Sequence, residues 1–340
     1  MFDFSSALDL PLIWGLLIAA AVFLYVLLDG FDLGLGILFP FAPSDKSRDR
    51  MMNSIAPFWD GNETWLVLGG GGLFAAFPLA YAVLMPAFYI PIILMLLGLI
   101  MRGVAFEFRF KAEGNSRRLW DYTFHFGSLT AALCQGMVLG AFVQGAEVSG
   151  RNFAGGPFDW ASAFSVMTGL AVVAGYVLLG AAWLIMKTEE ETQDWARKVA
   201  SYALGLVGIF MGLVSLSVPF LNPAIADFWF SAPNIFFLTP VPLFTAALFV
   251  LLWRDLHRAD AEYRPFLTAM GIFALGYLGL ALSLYPWIVP FEIDIWGAAA
   301  AGTSLSLLLV GVLPLLPIIL GYTAYSYYVF RGKAGHEPIY

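Results

Sequence analysis

Apolar residues fall in long runs separated by short polar stretches, without the two-residue alternation of a half-buried strand. Nine segments can be marked: Leu10 to Phe39, Met51 to Pro78, Tyr81 to Phe108, Tyr122 to Ala146, Trp160 to Met186, Val199 to Leu221, Ile235 to Trp253, Pro265 to Pro290 and Trp296 to Phe330. Roughly 20 apolar residues carry a helix across the hydrocarbon core. Several segments exceed that length, which predicts tilt or protruding ends. Within lipid each segment must satisfy its own backbone polar groups, which leaves helices, and no barrel-like alternation is present. The expectation is an all-α integral membrane protein with nine transmembrane helices.

Composition agrees. The 340 residues are 60% hydrophobic and only 12% charged, against about 25% charged in soluble proteins. The basic residues then set an orientation. Lys46, Arg48 and Arg50 follow segment one; Arg102, Arg109, Lys111, Arg117 and Arg118 surround the end of segment three. Lys187, Arg197 and Lys198 follow segment five, Arg254, Arg258 and Arg264 follow segment seven, and Arg331 and Lys333 are in the tail. Of the 17 basic residues only Arg151 falls on the other face. The positive-inside rule puts the N-terminus outside and the C-terminus in the cytoplasm, as an odd number of spans requires. Trp14, Trp120, Trp160, Trp253, Trp287 and Trp296 lie near segment ends, as interfacial aromatics do. The start, Met1-Phe2-Asp3-Phe4, lacks the basic region of a cleavable signal, so the first span is expected to stay as an anchor. A net charge of -7 without a large basic patch gives no sign of nucleic-acid binding. One cysteine, Cys134, excludes an internal disulfide and any multi-cysteine metal site. The loop Lys187 to Lys198, with a solvated Glu189-Glu190-Glu191, divides the chain into residues 1–188, holding the intramembrane acids, and residues 189–340, a second bundle with the tail.

Carboxylates lie inside apolar segments only in the first three: Asp29 and Asp32, then Asp60 and Glu63, then Glu107 near an inner end. A buried charge is expensive unless paired, internally solvated or protonated. At 1.5 Å per residue Asp29 lies roughly 29 Å along segment one, and Asp60 and Glu63 roughly 14 and 18 Å into segment two. All these groups therefore reach the inner half of one three-helix region. Asp29 and Asp32 share a helical face by spacing, as do Asp60 and Glu63. One reading is a proton pathway. The other is structural: the acids bond a neighbouring helix, a lipid headgroup or Arg102, with Asp32 neutralising a basic loop. Arg102 is a counter-ion or a snorkelling residue. Glu107, Arg109, Lys111 and Glu113 have i, i+4 spacing and read as a solvated helix end.

Gly69 to Gly72 lacks a following Lys-Ser/Thr, so it reads as helix packing rather than a phosphate loop. Of the histidines, His125 alone is in a span, while His257 and His336 lie in a loop and the tail. One intramembrane histidine cannot supply paired haem ligation. Gln135 and Gln144 are amides suited to bonding across helices.

Several stretches carry a family resemblance: Asp29-Gly30-Phe31-Asp32-Leu33-Gly34, Asn53-Ser54-Ile55-Ala56-Pro57 through Trp59-Asp60-Gly61-Asn62 to Trp65-Leu66, and Gly71-Gly72-Leu73-Phe74-Ala75-Ala76 with Pro78. Arg102-Gly103-Val104-Ala105-Phe106-Glu107-Phe108-Arg109 and Tyr322-Thr323-Ala324-Tyr325 add to it. The chain resembles subunit II of the cytochrome bd quinol oxidases, including the cyanide-insensitive branch, over its whole length and most densely in the first 110 residues. The resemblance implies two four-helix bundles with a peripheral helix, in a bacterial cytoplasmic (inner) membrane. It implies a partner subunit I bearing haems b and d, with small single-helix subunits as further candidate partners. The complex would oxidise quinol, reduce dioxygen to water and take protons from the cytoplasm without pumping. The resemblance implicates Asp60 and Asp29 in proton supply to the haem region; Glu63, Trp59, Arg102 and Glu107 complete the expected pathway. Some members hold a structural quinone in this subunit. Glu63 departs from the family by replacing an amide, and Phe58 by replacing a polar residue. A proton-coupled transporter acting alone is the alternative, although transporters spread acids and broken helices over both halves.

Overall fold

The computed structural model describes residues 8–335, so Met1-Phe2-Asp3-Phe4 and His336 lie outside the described residues. The chain is helical almost throughout: α1 (Leu10–Leu38), α2 (Asp45–Ile55), α3 (Trp59–Ala76), α4 (Pro78–Arg109), α5 (Gly114–Gln144), α6 (Ala163–Lys187) and α7 (Glu190–Leu221). It continues through α8 (Pro223–Phe230), α9 (Asn234–Leu238), α10 (Pro240–Leu256), α11 (Arg264–Leu284), α12 (Ile295–Ala298) and α13 (Gly302–Val329). Two short hairpins, β1–β2 (Val148–Ser149, Asn152–Phe153) and β3–β4 (Trp287–Val289, Ile293–Asp294), cap the face opposite the basic loops. Arg151 sits in the turn of the first.

Eight helical stretches among the described residues are long and apolar enough to cross a membrane. The second predicted segment, Met51 to Pro78, is not one continuous helix. Pro57 has no N–H to donate and its ring obstructs a continuing helix, so the chain turns at Ala56-Pro57-Phe58. Before the turn α2 is polar, started by Ser44, whose hydroxyl accepts from Ser47 N at 3.2 Å. After it α3 runs for 18 residues with Asp60 and Glu63 near its start. It lies antiparallel along α1: Asn62 meets Leu28 and Asp32, Gly69 meets Val22, and Gly72 meets Ile18. Gly70 and Gly71 face open space, so the glycine run serves packing on one side only. The acidic run Glu189-Glu190-Glu191 is not a loop but the start of α7, where a helix N-terminus favours negative charge.

α1, α4, α5 and α6 pack side by side, and α6 hands over to α7 and α11, on which α10 packs. α6 is the most enclosed of the spans, and α7 and α10 the least. Small residues let backbones approach closely where no hydrophobic drive exists between helices. A Cβ on Gly34 would sit 1.7 Å from the Tyr176 carbonyl oxygen, and one on Gly180 2.6 Å from Leu35 N. The same device joins α4 to α5, where a Cβ on Gly127 would meet Arg102 N at 2.8 Å. Two aromatic-rich cores result. One, toward the basic face, contains Phe31, Phe58, Phe106, Phe124 and Trp183; the other contains Leu10, Trp14, Phe77, Phe88 and Val289.

The tail folds back onto the basic face. Lys187 Nζ donates to the carbonyls of Phe330 and Gly332, both at 2.5 Å, and lies 5.5 Å from the Trp183 ring centroid. Ala334 N returns a bond to Lys187 O at 2.8 Å, and Asn53 Nδ2 reaches Gly335 O at 3.1 Å. Lys333 pairs with Glu262 at 2.9 Å and holds that carboxyl below the usual carboxylate range.

Gly34→Ala is expected to force α1 and α6 apart and abolish recovery of folded protein, whereas Gly71→Ala leaves recovery and the melting temperature in detergent unchanged. Size-exclusion profiles and thermal melts of the two variants check this; equal behaviour would contradict the close α1–α6 contact.

Candidate functional site

From Asp29 to Phe39 every residue of α1 and its extension is buried, so the acids of this stretch have no water-facing escape. Asp29 and Asp32 are both 0% exposed. α4 answers with Arg102, itself 2% exposed, whose Nη1 donates to Asp29 Oδ1 at 2.5 Å. Its Nη2 donates to Glu63 Oε1, on the second turn of α3. One guanidinium thus bridges acids from two helices, and its carbon lies 5.8 Å from the Trp59 ring centroid. Trp59 is fixed in turn against Phe106 at 5.0 Å and over Gly103.

Asp32 lacks a cation. Its Oδ2 accepts from Asn62 Nδ2 at 2.8 Å, and the same amide group donates to Leu28 O at 3.3 Å. The Tyr327 hydroxyl of α13 donates to Asn62 Oδ1 at 3.0 Å and its ring stacks on Phe58 at 4.3 Å. Asp32 is therefore no neutraliser of the basic loop; it is an internal acid read by α3 and α13. Asp29 Oδ2, Asp32 Oδ1 and Arg102 Nε are buried without a hydrogen-bond partner among the described residues. Such groups ordinarily hold internal water. Two carboxyl groups bond one guanidinium here and a third, Asp32, bonds only an amide, so the acids outnumber the cation.

Asp60 stands apart. It is exposed at the start of α3 and has no hydrogen bond or ion pair among the described residues, although Glu63 is three residues on. Thr64, Val67, Gly71 and Phe74 continue its exposed face. Glu107 is likewise exposed and unpaired among the described residues. The structure therefore joins Asp29, Glu63, Arg102 and Trp59, and leaves Asp60 and Glu107 on the outside of the chain.

Of the helix end expected to be solvated, Glu107, Lys111 and Glu113 are exposed, but Arg109 is not. Arg109 is 1% exposed, donates to Asp121 at 2.5 Å and Asp49 at 2.9 Å, and lies over Phe39. Arg117 also pairs with Asp49, and Arg48 approaches Asp121 at 3.6 Å. These charges pin α2, α4 and α5 together; the acids come from α2 and α5, so spacing along α4 could not reveal them. At the margin Arg48 holds the exposed Asp45 carboxyl below its ordinary range.

Both expected amides bond across elements: Gln135 joins Tyr25 and Tyr176, and Gln144 accepts from Ser162. His125 Nδ1 is 2.8 Å from Ile37 O, and His257 Nδ1 is 2.7 Å from Trp253 O.

A family model described as cytochrome bd terminal oxidase subunit II matches residues 10–330. The chain is 29% identical over 337 residues to the cytochrome bd ubiquinol oxidase subunit 2 of Bacillus subtilis, covering 96% of this chain and 98% of that protein. It is 29% identical over 368 residues to the cytochrome bd-I ubiquinol oxidase subunit 2 of Escherichia coli, covering 97% and 96%. A chain of the bd oxidase from Geobacillus thermodenitrificans shares its fold, with a TM-score of 0.74 at 16% identity over 95% of this chain and 99% of that one. With the match running from the first helix to the last, the chain belongs to the cytochrome bd terminal oxidase subunit II family.

Proposed function

We propose that this chain is the haem-free subunit of a bd-type quinol:dioxygen oxidoreductase, in which it supports the subunit bearing haems b and d and supplies it with protons from the cytoplasm. The relatives are subunits of ubiquinol oxidases. The observation that carries the reading is the group of buried Asp29 and Asp32 and half-buried Glu63 beside the buried Arg102. Asp60 lies one helical turn from Glu63 on the exposed side of α3, where a partner chain can pack. In this route protons enter from the basic face, which the positive-inside rule makes cytoplasmic. They pass among Glu63, Asp29 and Asp32 by way of internal water, and leave through Asp60 toward the partner. Trp59 screens the Arg102 guanidinium, and Glu107 draws protons to the entrance. α3 is the ninth span, short because Pro57 starts it inside the inner leaflet.

A quinone in this subunit has a fitting place. An apolar groove between α1, α3 and α13 is lined by Trp14, Leu17, Trp65, Leu68, Leu316 and Leu320. Trp65 is 2% exposed and its Nε1 is a buried donor without a partner among the described residues, which suits a quinone carbonyl oxygen. The groove would hold the apolar tail and the indole would orient the ring.

In the assembled complex Asp60→Asn is expected to lower quinol-driven oxygen uptake at least about tenfold, as loss of a positioned proton-transfer group does; parent-level uptake with full haem content would leave only a structural role. Arg102→Met strands Asp29, and removal of one partner from a buried pair costs roughly 3–5 kcal/mol. Its complex is expected to melt well below the parent, and an unchanged melting temperature would show that the acids need no counter-ion.

A further inference from the structure

Asn62 stands between an acid and a tyrosine, and both ends of its amide are occupied. Nδ2 donates to Asp32 Oδ2 at 2.8 Å and to Leu28 O at 3.3 Å. Oδ1 accepts from the Tyr327 hydroxyl at 3.0 Å. An amide nitrogen carries two hydrogens and only donates; an amide oxygen only accepts. Asn62 is 1% exposed, so bulk water does not compete for these bonds.

Leu28 decides which way round the amide stands. Its carbonyl belongs to α1 and only accepts, whatever the protonation state of Asp32. Turning the amide over would set Oδ1 against that carbonyl, acceptor to acceptor, in a buried space. The nitrogen therefore faces Asp32 both when the carboxyl is ionised and when it is protonated. A hydrogen on Oδ2 would run into the Asn62 N–H, so a protonated Asp32 carries its hydrogen on Oδ1. That oxygen is buried and has no hydrogen-bond partner among the described residues.

The support for Asn62 comes from the last helix. The Tyr327 ring stacks on Phe58 with centroids 4.3 Å apart at 14°, and meets the edge of Trp183 at 6.2 Å. Phe58 leads into α3, so the turn that starts the helix carrying Asn62 also clamps the tyrosine. A tyrosine hydroxyl can give and take a proton. The amide between it and Asp32 does not titrate, so it passes none on. Asn62 thus closes one side of the acid.

We propose that Asn62 and Tyr327 are positioning residues that confine proton exchange at Asp32 to Oδ1 and hold Oδ2 as a permanent acceptor. The inference rests on the proton-supply reading for its effect on turnover, and on the hydrogen bonds alone for the atom that carries the proton. Charged and titratable groups facing Asp32 are Asp29 from its own helix, Glu63 from α3, Arg102 from α4 and Tyr327 from α13.

The test uses the complete oxidase complex carrying Asp32→Asn, Asn62→Leu or Tyr327→Phe. The readouts are infrared difference spectra between acid and alkaline buffer, and quinol-driven oxygen uptake. The protonated-carboxyl band that vanishes in Asp32→Asn belongs to Asp32. Accepting a hydrogen bond lowers the stretching frequency of a carboxyl C=O. With the proton on Oδ1, that C=O is Oδ2, and Asn62→Leu is expected to move the band to higher frequency. Tyr327→Phe removes a single oxygen and is the variant least able to disturb folding. It should move the band the same way by less, because Asn62 loses the bond that polarises its N–H. If Asn62→Leu fails to assemble, Tyr327→Phe decides alone. A band that does not rise, or a parent complex without an Asp32 band, overturns the proposal. Asp32→Asn is expected to lower uptake roughly tenfold or more. If it keeps the parent uptake, the proton-supply reading fails at this residue, and the band still decides which oxygen holds the proton.

Discussion

The buried ion pair between Arg102 and Asp29 constrains everything around it. A guanidinium so enclosed must have its charge met and its donors used. α1 and α4 must therefore stay within reach of each other, and α3 must bring Glu63 to the second terminal nitrogen. Gly127 lets α5 close on the α4 backbone beside Arg102 itself. Close helix contacts and paired charge thus specify the same arrangement of the first bundle. The later helices, with many large apolar side chains exposed, do not share this constraint.

The local sequence explains why the polar site can exist inside an apolar bundle. Pro57 ends α2 and lets α3 begin at Trp59, so Asn62 and Glu63 come within reach of Asp32 and Arg102 on a fresh helix. Gly30 and Gly34 remove the side chains that would hold α6 away from the acids. The motif Asp29-Gly30-Phe31-Asp32-Leu33-Gly34 combines three jobs: its acids carry charge, its glycines admit Tyr176, and Phe31 stacks on Trp183 at 4.3 Å.

Long apolar runs made the spans legible, because a helix in lipid has no alternative backbone partner. Asp29, Asp32 and Arg102 were legible because their burial could be inferred from the flanking runs, whereas Asp60 and Glu107, in equally apolar surroundings, are exposed. Partner choice was not. Asp32 to Asn62, Tyr327 to Asn62 and Arg109 to Asp49 and Asp121 join residues far apart in sequence or out of helical register. Hydropathy also joined α2 to α3, since Ile55-Ala56-Pro57-Phe58 is apolar; only the missing proline N–H divides them.

The strap that follows α13 has a consequence for biosynthesis. Tyr327, Phe330, Gly332 and Gly335 are made after every residue they hold, namely Asn62, Lys187 and Asn53. The acidic chamber set up by the earliest helices therefore stays open on one side until α13 and the strap have emerged. A chain stopped before α13 would present an unsealed polar interior to the insertion and quality-control machinery.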